Sequence, residues 1–191
     1  EAGFDPAEIT DVVFTHCHPD HLWGLIDDFD EIVFPNASFH MGRAEWDFWR
    51  DPGTVDAMPE ARKTFAVGAQ NRLSYLEDMI TLFEPGAEVL PGVEAVDTAG
   101  HTPGHMSYML HGGSEPVLVA GDAILHFAVS FEHPSWPSGS DQDPEMGIAT
   151  RKKLLDRLAA DKAMLTAYHL PTPGEGRVER EGSAYRFVAE G

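Results

Sequence analysis

Three histidines and an aspartate, all able to hold a metal ion, fall within six residues of this chain, in the segment Thr15-His16-Cys17-His18-Pro19-Asp20-His21. No other feature limits the fold as much. The residues before it, Asp11 to Thr15 (DVVFT), are almost wholly apolar, the pattern of a strand buried on both faces. In extended chain the side chains of residues i and i+2 point the same way, so His16 and His18 converge as half of a tetrahedral site. Pro19 ends the extended run. Asp20 and His21 then face away from the first pair while staying close, and one segment can serve two neighbouring ions. Cys17, by the same alternation, points away from the histidines and reads as a small packed side chain.

Three later positions share this placement. Gly100-His101-Thr102-Pro103-Gly104-His105 follows the apolar run Val93 to Thr98. Gly121-Asp122 follows Pro116 to Ala120, and Tyr168-His169 follows Ala163 to Ala167. Each metal-type residue therefore sits where a strand meets a loop, the usual place for a site in an α/β sheet. The chain has 10 histidines, and a lone histidine is more often a surface or satisfied core residue than a ligand. His40, His111 and His133 read as exposed, and His126 is open. The recurrence at strand ends is what favours a metal site for the others. An all-nitrogen and oxygen donor set suits Zn2+ best, while Mn2+, Co2+ or Fe2+ would also fit.

Asp5-Pro6-Ala7-Glu8 reads as a short capped turn. Helices are expected over Leu22 to Phe29, Arg43 to Arg50, Pro59 to Asp78 and Glu145 to Ala160. Strands are expected over Glu31 to Phe34, Ser38 to Met41, Ile80 to Phe83, Met106 to His111, Arg177 to Arg180 and Ala184 to Val188. The interleaving makes this a layered α/β fold, with residues 1–191 taken as one domain. Arg151, Lys152, Lys153 and Arg157 read as the solvated face of their helix. With 32 acidic against 13 basic residues the formal charge is −19, which argues against nucleic-acid or anionic-membrane binding. No run of about 18 apolar residues exists to form a transmembrane helix. A single cysteine excludes an internal disulfide and a cysteine-based zinc cluster.

The T-H-C-H-P-D-H and G-H-T-P-G-H segments, with Gly121-Asp122 and His169, resemble the metallo-β-lactamase superfamily in order along nearly the whole chain. The resemblance implies an αββα sandwich. It also implies two divalent ions, one held by His16, His18 and His101 and one by Asp20, His21 and His169, with Asp122 bridging both. His105 matches a position behind the ligands. Relatives begin with a run of strands before the motif, so the N-terminal strands are expected to be missing from this chain. The implied function is a dinuclear metal-dependent hydrolase. A bridging hydroxide would cleave a small-molecule ester, lactone or organophosphate triester, with Asp20 as catalytic proton shuttle. A homodimer and the cellular compartment are left open.

Within the superfamily, Phe34-Pro35-Asn36-Ala37, Asp47-Phe48-Trp49, Arg151-Lys152-Lys153, His169-Leu170 with Pro173-Gly174 and Tyr185-Arg186-Phe187-Val188 resemble methyl parathion hydrolase. That resemblance places Trp49 and Phe65 in an apolar substrate pocket, whereas packing favours Phe48 as core. Acyl-homoserine lactonases usually carry Tyr three residues after the bridging Asp. Here that position is Leu125, which predicts aryl substrates to be favoured over lactones. The alternative on the same fold is a mononuclear iron oxygenase of the persulfide dioxygenase type.

Overall fold

The computed structural model describes residues 3–190, and the chain divides after Glu84 into two compact units. The first holds β1 (Asp11–Phe14), α1 (Pro19–Leu22), β2 (Ser38–Gly42), α2 (Arg43–Arg50), α3 (Thr54–Ala57), α4 (Lys63–Ser74) and β3 (Ile80–Phe83). Its three strands are parallel in the order β1-β2-β3. As the middle strand, β2 is covered on both faces, and Phe39 and Met41 join Trp49, Ala66, Ala69, Leu73 and Leu76 in a core with almost no solvent access. Asp5 caps the turn Pro6–Glu8 with both bonds of a capping box, as its sequence suggests.

Several expectations for this unit need correction. β1 is only half-buried until Phe14 and pairs with β2 alone among the described residues. His40 is buried, not exposed, because every position of the middle strand from Phe39 on is covered. Its Nε2 lies 3.0 Å from Asp11 Oδ1. The helix expected from Leu22 instead starts at Pro19 and ends in a short 3-10 turn at Leu25. Asp27 stops it from continuing, since its Oδ1 accepts the N–H groups of Phe29 and Glu31 and folds them into a turn. The strand expected over Glu31 to Phe34 is a single bridge between Ile26 and Ile32. The long helix from Pro59 is regular only over α4, and α3 had no clear sequence signal.

The second unit holds β4 (Glu88–Leu90), β5 (Val93–Asp97), β6 (Met106–Leu110), β7 (Val117–Val119), α5 (Val129–Glu132), α6 (Pro144–Asp161), β8 (Met164–Thr166), β9 (Glu175–Glu181) and β10 (Ala184–Ala189). Its sheet runs β10-β9-β8-β7-β6-β5-β4. Only β7 and β8 are parallel, and the crossover between them carries α6. Asp143 caps α6 by accepting the Met146 N–H, and Leu154, Leu155 and Leu158 pack into the core with Leu118 and Leu165. Arg151 is not on the solvated face. It is buried, with Nε donating to the Pro134 carbonyl and a terminal nitrogen to the Trp136 carbonyl, which ties the 134–136 loop to the helix.

The Asp11–His40 pair gives a pH test of the register between β1 and β2. The hydrogen bond from His40, helped by Thr10, holds the Asp11 carboxyl below its ordinary value of 3.8. A depressed folded pKa means the pair stabilises above the ordinary value and loses that contribution as pH falls through the folded one. Thermal unfolding of wild type against Asp11→Asn should show a wild-type advantage at neutral pH that disappears in acid. A pH-independent difference would refute the pairing.

Candidate metal centre

In the first unit, β1 ends at Phe14 and delivers His16 and His18 two and four residues on. Both are buried, and their donor nitrogens lie within 4.8 Å of one another. Pro19 opens α1, and that turn brings His21 back until its ring centroid is 4.2 Å from that of His16. Asp20 is exposed beside it, with Oδ2 3.5 Å from His21 Nε2. The loop is held from α2. Glu45, wholly buried, accepts the Cys17 N–H at 2.8 Å and the Trp49 indole N–H at 2.6 Å. The Cys17 side chain points to Met41, and burial, with the Glu45 carboxylate adding, pushes its thiol well above the ordinary value. It packs as expected and is no nucleophile.

Trp49 has no solvent exposure, and its ring meets His18 edge-on at 5.8 Å. It therefore braces a candidate ligand and does not form an open pocket wall. Phe65, half-buried, meets the same imidazole at 5.8 Å. Phe48 joins the core, as expected.

In the second unit, β5 and β7 each run antiparallel to β6, and β8 runs parallel to β7. The three C-terminal ends therefore share one edge of the sheet, and from it come His101, Asp122 and His169. Asp122 is buried, and one carboxylate oxygen, Oδ2, lies 3.2 Å from His101 Nε2 and 3.3 Å from His169 Nε2. His169 is exposed, beside Tyr168, whose ring is edge-on to it at 5.0 Å. Leu125 is half-buried and its N–H donates to Ser130 Oγ. His126 is exposed, and its Nδ1 accepts two N–H groups that start α5.

His105 lies behind Asp122, and its tautomer follows from its neighbours. Nε2 accepts the Asp122 N–H at 3.0 Å, so Nδ1 carries the proton and donates to Thr98 Oγ1 at 2.8 Å. Thr98 in turn faces Ser107 Oγ at 3.0 Å, which donates to the Ala120 carbonyl. Both ring nitrogens are thereby used within the protein, and His105 orients the Asp122 turn.

His101 Nδ1 lies 3.1 Å from Asp141 Oδ1. A carboxylate can only accept, so Nδ1 carries a proton and the Nε2 lone pair of the neutral ring faces the Asp122 oxygen. Two lone pairs at that distance need a cation between them. For protons, burial disfavours the imidazolium, but the Asp122 and Asp141 carboxylates outweigh it and raise the His101 pKa to about 9. A divalent ion meets the same need, and imidazole nitrogens with carboxylate oxygens are zinc-type donors. The residues present thus fit the metal. Sequence reasoning missed Glu45 and Asp141, which lie far along the chain from Cys17 and His101, the residues they bond. Ser107, a polar residue inside the apolar run Met106–Leu110, was a signal that could have been read.

Residues 1–169 match the model of the metallo-β-lactamase superfamily. The chain belongs to that superfamily. An N-acyl homoserine lactonase from Bacillus sp is 26% identical over 174 residues, 87% of this chain and 58% of that protein. The lactonase AttM of Agrobacterium fabrum is 30% identical over 125 residues, covering 63% of this chain and 43% of its own. The solved structure of AidC, a dizinc quorum-quenching lactonase in complex with a product, matches all of this chain and 67% of its own, with TM-score 0.92 and 30% identity. Hydrolase AbOPH of the β-lactamase superfamily matches over the same shares, also at TM-score 0.92, with 27% identity. The chain spans 58% of the length of the Bacillus lactonase. Three of these four relatives are described as lactonases and none as a methyl parathion hydrolase, which corrects the finer resemblance. They lend no support to the dioxygenase alternative.

Removing the Glu45 carboxylate should loosen the His16–His18 loop. Glu45→Ala strands the Cys17 and Trp49 N–H groups, each worth about 1–3 kcal/mol when buried without a partner. Denaturant unfolding should show a loss in that range or above, with Glu45→Gln losing less because it keeps an acceptor. An Ala variant as stable as wild type would contradict this role.

Proposed function

We propose that this chain carries the active site of a dinuclear metal-dependent lactonase. The observation that carries the reading is the buried Asp122 oxygen shared between the His101 and His169 nitrogens. In this reading His16, His18 and His101 hold one ion, Asp20, His21 and His169 hold the other, and Asp122 contributes to both. Two divalent ions would supply a water of lowered pKa and polarise a carbonyl oxygen.

The remaining work falls to the chain's own residues. Asp20 is exposed at the start of α1 and suits a group that takes a proton from the attacking water and passes it to the leaving oxygen. Glu45 and Trp49 hold the His16–His18 loop still. His105, through the Asp122 N–H, fixes the turn on which the shared carboxylate sits.

The substrate class revises the expectation drawn from Leu125. Trp49 is fully buried and offers no open face to an aryl group. The relatives named above that carry a stated activity are lactonases. Tyr168, 65% exposed beside His169, supplies the phenol that position 125 lacks. The test compares kcat/KM on an N-acyl homoserine lactone, a 4-nitrophenyl ester and an aryl phosphotriester. The lactone should lead by at least about tenfold, equivalent to about 1.4 kcal/mol in the transition state. Chelation should abolish activity and added zinc restore it. Tyr168→Phe should lower lactone turnover by up to about 100-fold if its hydroxyl steadies the developing oxyanion. A preference for the phosphotriester, or activity that survives chelation, would overturn the proposal.

A further inference from the structure

Asp141 belongs to no motif, yet its placement is closely determined. Its Oδ1 takes the Nδ1 proton of His101 at 3.1 Å, and both side chains are nearly inaccessible, at 3% and 2% exposure. The next two residues bind the backbone of the same loop: the Gln142 N–H donates to the His101 carbonyl and the Asp143 N–H to the Gly100 carbonyl. Across the helix, Gly147 leaves room for the carboxylate. A Cβ there would stand 2.5 Å from Asp141 Oδ2 and 2.9 Å from its Cγ. Gly100, with φ of +133°, is needed for the same reason, since its own Cβ would meet the Gly147 backbone at 2.5 Å. Two glycines therefore let α6 and the His101 loop approach closely enough for Asp141 to reach the imidazole.

A purely structural role would not need a carboxylate. Asp141 Oδ2 is buried with no hydrogen-bond partner among the described residues. Arg151 lends it positive charge, but Arg151 donates its hydrogen bonds to the Pro134 and Trp136 carbonyls. Keeping an incompletely bonded carboxylate in such a place is costly, and a neutral residue would hold the loop at less expense. A carboxylate does give one thing a neutral residue cannot: it accepts only, and so fixes which ring nitrogen carries the proton.

We propose that Asp141 is a positioning residue that locks His101 as its Nδ1–H tautomer and so presents Nε2 to a divalent ion shared with Asp122. The proposal rests on the metal-site reading above and adds a residue to it. It also assigns Gly100 and Gly147 a function, as the gap through which the carboxylate reaches the ring. An amide at position 141 can rotate to donate to Nδ1. The ring proton then moves to Nε2, where it blocks the metal.

The test measures zinc affinity of the chain by competition with a chromophoric chelator, alongside thermal unfolding of the metal-free protein. Asp141→Asn should weaken zinc binding by about 10–100-fold, the usual cost of losing a partner behind a ligand, while the metal-free melting temperature holds or rises. Gly147→Ala changes no charge and suits a helix better, yet should weaken zinc in the same direction by displacing the carboxylate. If Asp141→Asn does not fold, Gly147→Ala decides the matter alone. Zinc affinity within about twofold of wild type in the folded variants overturns the proposal, as does a lower melting temperature at unchanged affinity. A wild-type chain that takes up no zinc overturns both this inference and the function it rests on.

Discussion

The buried carboxylate of Asp122 sets the terms for the second unit of this protein. At 4% exposure it costs several kcal/mol unless positive charge or hydrogen bonds compensate it. The compensation comes from elements far apart in sequence. β5, β7 and β8 point their ends to one edge of the sheet and bring His101, Asp122 and His169 together. From behind, a run of hydrogen bonds from the Ala120 carbonyl through Ser107, Thr98 and His105 returns to the Asp122 N–H. With Asp141 taking the His101 Nδ1 proton and His105 turned to the Asp122 N–H, the Asp122 Oδ2 faces the Nε2 atoms of His101 and His169, a donor set that suits a cation.

What could be read from the sequence followed from short-range geometry. His16 and His18 are two residues apart after an apolar run, and the later ligand-type residues each follow another such run, so backbone periodicity alone pointed to strand ends. Helix α6 and strands β2, β3, β5, β6, β9 and β10 were legible for the same reason. His40 and Arg151 were not, because their burial depends on what packs over them. His40 lies on a middle strand covered on both faces, and Arg151 is enclosed by a loop whose carbonyls it binds. Position on a helix or strand says which way a side chain points, but not whether another element covers it.

The supporting residues were hidden more deeply. Glu45 reaches Cys17 across 28 residues and Asp141 reaches His101 across 40. Neither has a local pattern, and a carboxylate on a short helix or in a polar loop is ordinarily exposed. The aryl-pocket reading of Trp49 came from a resemblance of short segments. The structure instead seals that ring beneath His18, bonded to Glu45.

The central claim is that one buried carboxylate serves two ions, and metal stoichiometry tests it most directly. Purified wild-type chain loaded with zinc and freed of excess should hold two ions per chain. If Asp122 contributes to both, as proposed, Asp122→Asn should lose or severely weaken both, whereas His169→Ala should lose only one. A wild-type content of one ion, or an Asp122→Asn chain that retains two at wild-type affinity, would contradict the account.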